Sequence, residues 1–185
     1  MRSILTAVLA LVGLVPVAAG EAGPAEPESD ALRYFYGDYA RKNLLAAAEQ
    51  MPEDDYAFRP TPEVRTFAQL LGHVADTQYL FCSAARGQEN PRLGVEAPGK
   101  SSLTSIEKTA RTKAEVVRAL RESFTYCDGL FAGLKDRDLA RTEKLLGQEH
   151  SEAMITTLAI VHLVEHYGQV TVYLRLKGQV PPSSR

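Results

Sequence analysis

The sequence predicts an all-α chain folded as a four-helix bundle with one long connection, and three observations predict it. Apolar residues recur at steps of three and four through four separate segments, the signature of helices with one buried face. Two of those segments open on capping boxes, Thr66 with Gln69 and Thr112 with Glu115. No segment alternates apolar and polar residues in the manner of a half-buried strand, and there is no internal repeat.

The elements follow in order. Residues 1–20 read as a signal peptide: Arg2 gives a positive start, Ile4 to Val15 is apolar but for Thr6 and Gly13, and Val17-Ala18-Ala19-Gly20 offers small residues for cleavage. The apolar run of about a dozen residues is shorter than the ~20 a membrane span needs, so no stable span is expected after cleavage. This predicts an exported protein, periplasmic or extracellular. Residues 21–29, rich in Pro and Glu, read as a flexible leader, and residues 30–182 as the bundle.

Within the bundle, Leu32, Phe35, Tyr36, Tyr39, Leu44 and Ala47 mark a first helix of about 30–50, closed by Pro52. Pro60 and Pro62 keep the next stretch extended. The second helix begins at the Thr66 cap, buries Phe67, Leu70, Leu71, Val74, Phe81 and Cys82, and ends at Gly87. Residues 88–103 show no period and form the long connection between helices two and three. The third helix carries Val117, Leu120, Phe124, Cys127, Phe131 and Leu134 on its apolar stripe. A charged connection from Lys135 to about Gln148 leads to a last helix of roughly 151–177, stopped by Gly178 and then Pro181-Pro182.

The composition excludes other classes. With 45% hydrophobic and 24% charged residues and a net charge of −2, the chain is too apolar for disorder and has no basic excess for nucleic acid. No nucleophilic-serine motif, glycine-rich phosphate loop or Walker pattern is present.

Chemistry is concentrated in the histidines, of which there are four. His162 and His166 stand four residues apart on the last helix, so both rings project from one face and can chelate one ion. Leu163 follows the first of them where a zinc metalloprotease carries its glutamate, which argues against that chemistry. His73 lies beside Gly72, and a glycine within a helix calls for a reason such as close approach of a neighbour. A third ligand from a facing helix would complete a site suited to zinc, nickel, iron or copper, with open positions for water or substrate. Histidines that simply pack in the core are the plainer alternative. His150, in a polar stretch, reads as a surface or capping residue.

The segment Phe67-Ala68-Gln69-Leu70-Leu71-Gly72-His73-Val74-Ala75-Asp76 resembles the second-helix motif of the DinB-like (damage-inducible) proteins. His162-Leu163-Val164-Glu165-His166-Tyr167-Gly168-Gln169-Val170, continuing through Tyr173-Leu174-Arg175-Leu176-Lys177-Gly178, resembles their terminal motif. The resemblance runs over roughly residues 30–182. It implies an up-down-down-up bundle, commonly a homodimer, with a three-histidine site for a divalent transition metal: nickel, zinc or iron. Carried onto this chain, the ligands are His73, His162 and His166. The family often has a second His beside its final ligand and an Arg after it, whereas Glu165 and Tyr167 flank His166 here. Glu165 points about 100° away from His166 around the helix and reads as a solvated residue, whereas Gln169, nearly one turn on, can support the site.

Two functional classes remain open at this level. One is a metal-dependent enzyme acting on a small-molecule substrate, either a hydrolase or a thiol-dependent transferase like some relatives, though export separates the chain from the cytosolic thiols a transferase would use. The other is a metal-binding or structural module without turnover. Cys82 and Cys127, both on buried stripes, leave open a single inter-helix disulfide or two buried thiols; export allows the former, which would add roughly 3–4 kcal/mol in the chain-entropy model.

Overall fold

The computed structural model describes residues 27–92 and 105–185. The proposed signal peptide, residues 21–26 of the leader and most of the long connection lie outside them.

The first bundle helix spans residues 28–50 without interruption, as α1 (Glu28–Tyr34), a π-helical stretch (Phe35–Arg41) and α2 (Lys42–Gln50). It begins two residues before the periodicity places it. The reason is tertiary: Ser29 is buried and its backbone N–H donates to Asp136 Oδ1 at 2.9 Å. Within the π stretch Tyr36 is buried, its ring stacked on Phe131 at 3.8 Å and its hydroxyl donating to Asp128 Oδ1 at 3.0 Å. The other three bundle helices are α3 (Phe67–Ala85), α5 (Lys113–Gly133) and α6 (Glu152–Leu176).

Both capping boxes form. Thr66 Oγ1 accepts from Gln69 N at 3.2 Å while Gln69 Oε1 accepts from Thr66 N at 2.9 Å, and Thr112 with Glu115 repeats the exchange. Each cap satisfies donors that the first helical turn cannot, and is typically worth about 1 kcal/mol. The extended connection supplies two more acceptors, with Phe67 N donating to Phe58 O and Ala68 N to Tyr56 O. At the far end Gly178 takes φ +70°, and the Gln179 N–H reaches back to Leu174 O at 2.9 Å, closing α6 in a Schellman turn.

The contacts define the topology. The first helix runs antiparallel to α5, pairing Tyr36 with Phe131 and Glu49 with Arg121, and parallel to α6, pairing Tyr39 with Tyr167 and Gln50 with Gln179. Helix α3 runs parallel to α5 and antiparallel to α6, where Phe67 meets Tyr173 and His73 meets His166. The order is therefore up-down-down-up. Leu44, Leu71, Val74, Leu120, Phe124, Ile155 and Leu163 fill the centre, fully excluded from solvent. Burial of each such side chain is worth about 1.5–3 kcal/mol. Cys82 and Cys127 are joined in a disulfide with Cα atoms 5.5 Å apart, tying α3 to α5 inside the core.

Two elements depart from the sequence reading. The charged connection after α5 holds an antiparallel hairpin, β1 (Thr142–Leu145) and β2 (Gln148–Ser151), turned at Leu146 and Gly147. Its strands are almost wholly polar and only Leu145 is buried, so no apolar alternation marks them. His150 lies on β2 opposite Glu143, away from the other histidines. A short helix, α4 (Ile106–Thr109), precedes α5. Four residues carry no periodicity, and α4 is stabilised from a distance, by Asp76 on α3.

Candidate metal centre

Helix α3 presents His73 and α6 presents His162 and His166, with the four-residue spacing on α6 putting its two rings on one face. Antiparallel packing of α3 and α6 brings the third ring to that face. One ligand nitrogen from each histidine lies within 4.8 Å of the others, and the ring centroids are 4.2, 4.9 and 5.2 Å apart. The fourth histidine, His150, takes no part.

Each ring has a polar partner at Nδ1. His166 Nδ1 lies 3.0 Å from Gln169 Oε1, His162 Nδ1 lies 3.3 Å from Thr77 Oγ1, and His73 Nδ1 lies 3.2 Å from Glu107 Oε2. All three partner oxygens act as acceptors. The Thr77 hydroxyl already donates to the His73 and Val74 carbonyls, as helical threonines do. Each imidazole therefore carries its proton on Nδ1, a tautomer assigned from the network. That leaves an Nε2 lone pair on each ring as the donor a metal would use. The Nε2 atoms of His162 and His166 stand only 3.0 Å apart, an arrangement of two acceptors that a cation satisfies and that the neutral rings alone do not. The donor set fits a borderline transition metal with three imidazole ligands and open positions.

The electrostatics favour the neutral form of His162 and His73. Burial, followed by the neighbouring His166, His73 and Arg65, pushes the His162 imidazole down to about 3. Burial, Arg65 and His166 also lower His73, against the opposing pull of Glu107. Neutral imidazole is the form that binds metal.

An open groove of about 670 Å³ adjoins the cluster. Glu107 and Gln169, which hold His73 and His166, form its inner edge, and Val64, Leu70, Val172 and Tyr173 give it apolar walls with Arg65 at the rim. No histidine itself lines this groove, nor a second one of about 690 Å³ along α5 near Glu49 and Lys113.

The sequence-predicted residues are placed as follows. His73, His162 and His166 come together, Gln169 supports His166, Glu165 is exposed, and Cys82 and Cys127 pair with each other, away from the histidines. Gly72 does face a close neighbour, the backbone of α4. Sequence reasoning missed Thr77, Glu107 and Arg65. Thr77 was findable, one turn beyond His73 on the same face; Glu107 and Arg65 carried no local signal.

The sequence profile of the DinB superfamily matches residues 37–170. No curated protein matches the chain by sequence. Among solved structures, the chain is similar to a DinB-like protein of Bacillus cereus, with a TM-score of 0.59 and 17% identity over 78% of this chain and 90% of that one. A DinB-like protein of Bacillus subtilis gives a TM-score of 0.61 at 18% identity, covering 82% and 93%. YfiT of Bacillus subtilis, described as a probable metal-dependent hydrolase with an unusual four-helix bundle topology, gives 0.56 at 18%, covering 87% and 96%. At such identities the structural likeness speaks for the fold, and the profile match speaks for the family: the chain belongs to the DinB superfamily.

Proposed function

We propose that this is an exported metal-dependent hydrolase of a small-molecule substrate, with His73, His162 and His166 as ligands to a divalent zinc, nickel or iron ion. The observation that carries the reading is the convergence of three imidazoles, each with a polar partner at Nδ1, near an open groove. When bound, the ion supplies a Lewis-acid centre that polarises an electrophile or activates water. The chain supplies the rest. Apolar walls at Val64, Leu70, Val172 and Tyr173 hold a hydrophobic body, and Arg65 offers a cation at the rim. YfiT, described as a probable metal-dependent hydrolase, supports hydrolysis over thiol transfer. Export supports the same choice, since low-molecular-weight thiols are chiefly cytosolic.

Export rests on residues 1–20, and among the described residues no helix is long and apolar enough to cross a membrane. A homodimer is the proposed assembly. Its support is the outer face of α6, where Val161, Val164, Val172 and Leu176 are exposed around Gly168. Sedimentation of the mature protein at twice the monomer mass is expected.

Elemental analysis of untagged mature protein tests the central reading. One transition-metal ion per chain is expected, with hydrolysis of model esters or amides lost on chelation and restored on reloading. Protein that carries no metal and accepts none would overturn it.

A further inference from the structure

We propose that Glu107 is a positioning residue for His73, delivered by α4, which acts as a strut outside the bundle, and that it fixes the tautomer His73 offers to a metal. The proposal rests on the metal assignment above.

The three Nδ1 partners arrive by different routes. Gln169 sits on the same helix as His166, so helix geometry alone places it, and Thr77 on α3 reaches His162 through the direct packing of α3 against α6. Glu107 is 34 residues from His73 and belongs to a four-residue helix that α3 must hold in place. Two features of α3 do so. Gly72 adjoins His73 and has no Cβ; one built there would meet the Glu107 Cα and N at 2.8 Å, so α4 lies backbone to backbone against α3. Asp76, one turn on and 6% exposed, accepts from Ser105 Oγ at 2.8 Å, Ile106 N at 3.0 Å and Glu107 N at 3.1 Å. Residues 72 and 76 thus clasp the start of α4 on either side of the position where His73 projects.

The carboxylate is then oriented from the other side. Arg65 Nε donates to Glu107 Oε1 at 2.9 Å, which leaves Oε2 turned to His73 Nδ1 at 3.2 Å. Arg65 is itself located by α6, because the Tyr173 hydroxyl donates to its carbonyl at 2.6 Å. The result is an Arg65–Glu107–His73 chain spanning the rim of the groove and the histidine cluster. A carboxylate accepting Nδ1–H both selects the tautomer and makes Nε2 a better donor to a metal. Of the three Nδ1 partners, Glu107 alone is charged.

The test uses the full mature chain and two readouts. Nitrogen-15 NMR of the metal-free protein reports the His73 tautomer, and zinc titration against a competing chelator reports affinity. Wild type is expected to show Nδ1–H at His73. Glu107→Ala should mix the tautomers and weaken zinc binding by about 10–100-fold. Glu107→Gln, which keeps an acceptor oxygen, should retain the tautomer and recover most of the affinity, a pattern that loss of packing would not produce. Glu107→Asp, which withdraws the carboxylate by one methylene, carries the same expectation as alanine should the alanine variant fail to fold. An unchanged tautomer and unchanged zinc affinity in a folded Glu107→Ala or Glu107→Asp variant would overturn the role. Wild type that binds no zinc or other divalent metal overturns the metal assignment instead, and the tautomer readout then decides the positioning by itself.

Discussion

Gly72 and Glu107 meet backbone to backbone: a single methyl group at position 72 would stand 2.8 Å from both the Cα and the N of Glu107. This contact explains a glycine that helix propensity disfavours, and it locates Glu107 beside His73. It also ties the stability of the fold to the order of the site.

Replacing Gly72 by Ala should therefore destabilise the protein, although alanine is the better helix former by about 1 kcal/mol. Displacing α4 is expected to outweigh that gain, for a net loss of about 1–2 kcal/mol, within the usual range for overpacking. Urea denaturation measures it. A more stable variant with unchanged metal affinity would show that the close approach has no energetic weight.

His162→Ala and His166→Ala should each abolish stoichiometric metal, since either leaves only two imidazoles at the site. Elemental analysis after exposure to zinc and dialysis is the check. Full metal retention by either variant would count against the ligand set.

Acid should weaken the fold through His162. Its imidazole is held down to about 3 by burial and its neighbours, whereas in the unfolded chain it titrates near 6.5. Between those values the unfolded state binds a proton that the folded state refuses, so stability falls as pH drops from about 6.5 towards about 3 and levels off below. His73, lowered in the same direction, adds to the slope. Denaturation of metal-free protein at pH 7.5, 6 and 5 should show a progressive loss that His162→Ala reduces. A profile that is flat over this range, or unaffected by the substitution, would contradict the neutral buried imidazole.

Removing the disulfide should cost about 2–4 kcal/mol, because the bridge closes a long loop and so restricts the unfolded chain. The double variant Cys82→Ala, Cys127→Ala, compared with oxidised wild type by thermal and chemical denaturation, measures this. Both sulfurs are buried, so reductant should act on the native protein only slowly. The bridge and the proposed metal site are separate, and metal content of the folded double variant should be unchanged.

Leu146 takes φ +52° at the hairpin tip with 80% of its surface exposed. A side chain gains nothing there, and the left-handed conformation disfavours leucine by about 1–2 kcal/mol. Leu146→Asn creates the Asn-Gly pair that two-residue hairpin turns favour and should stabilise the protein. A loss of stability would reveal a contact at the tip that outweighs the strain.

The sequence by itself determined the four helices, because each is long enough for its apolar period, caps and stop signals to be read locally. Thr66, Thr112 and Gly178 mark ends that the structure reproduces within a residue or two. It also determined the candidate ligands, since the spacing of His162 and His166 is a property of one helix. What tertiary structure alone decided was everything built from distant residues. The pairing of Cys82 with Cys127 depended on α3 and α5 lying parallel with those positions level. The hairpin at 142–151 escaped notice because its strands bury almost nothing and so carry no apolar alternation. Glu107 escaped for a different reason: a lone glutamate on a four-residue helix has no period, and its role comes from Gly72, Asp76 and Arg65, none of them within 30 residues of it. Local pattern records which face of a helix is buried; which charge faces a given histidine is settled only when the helices pack.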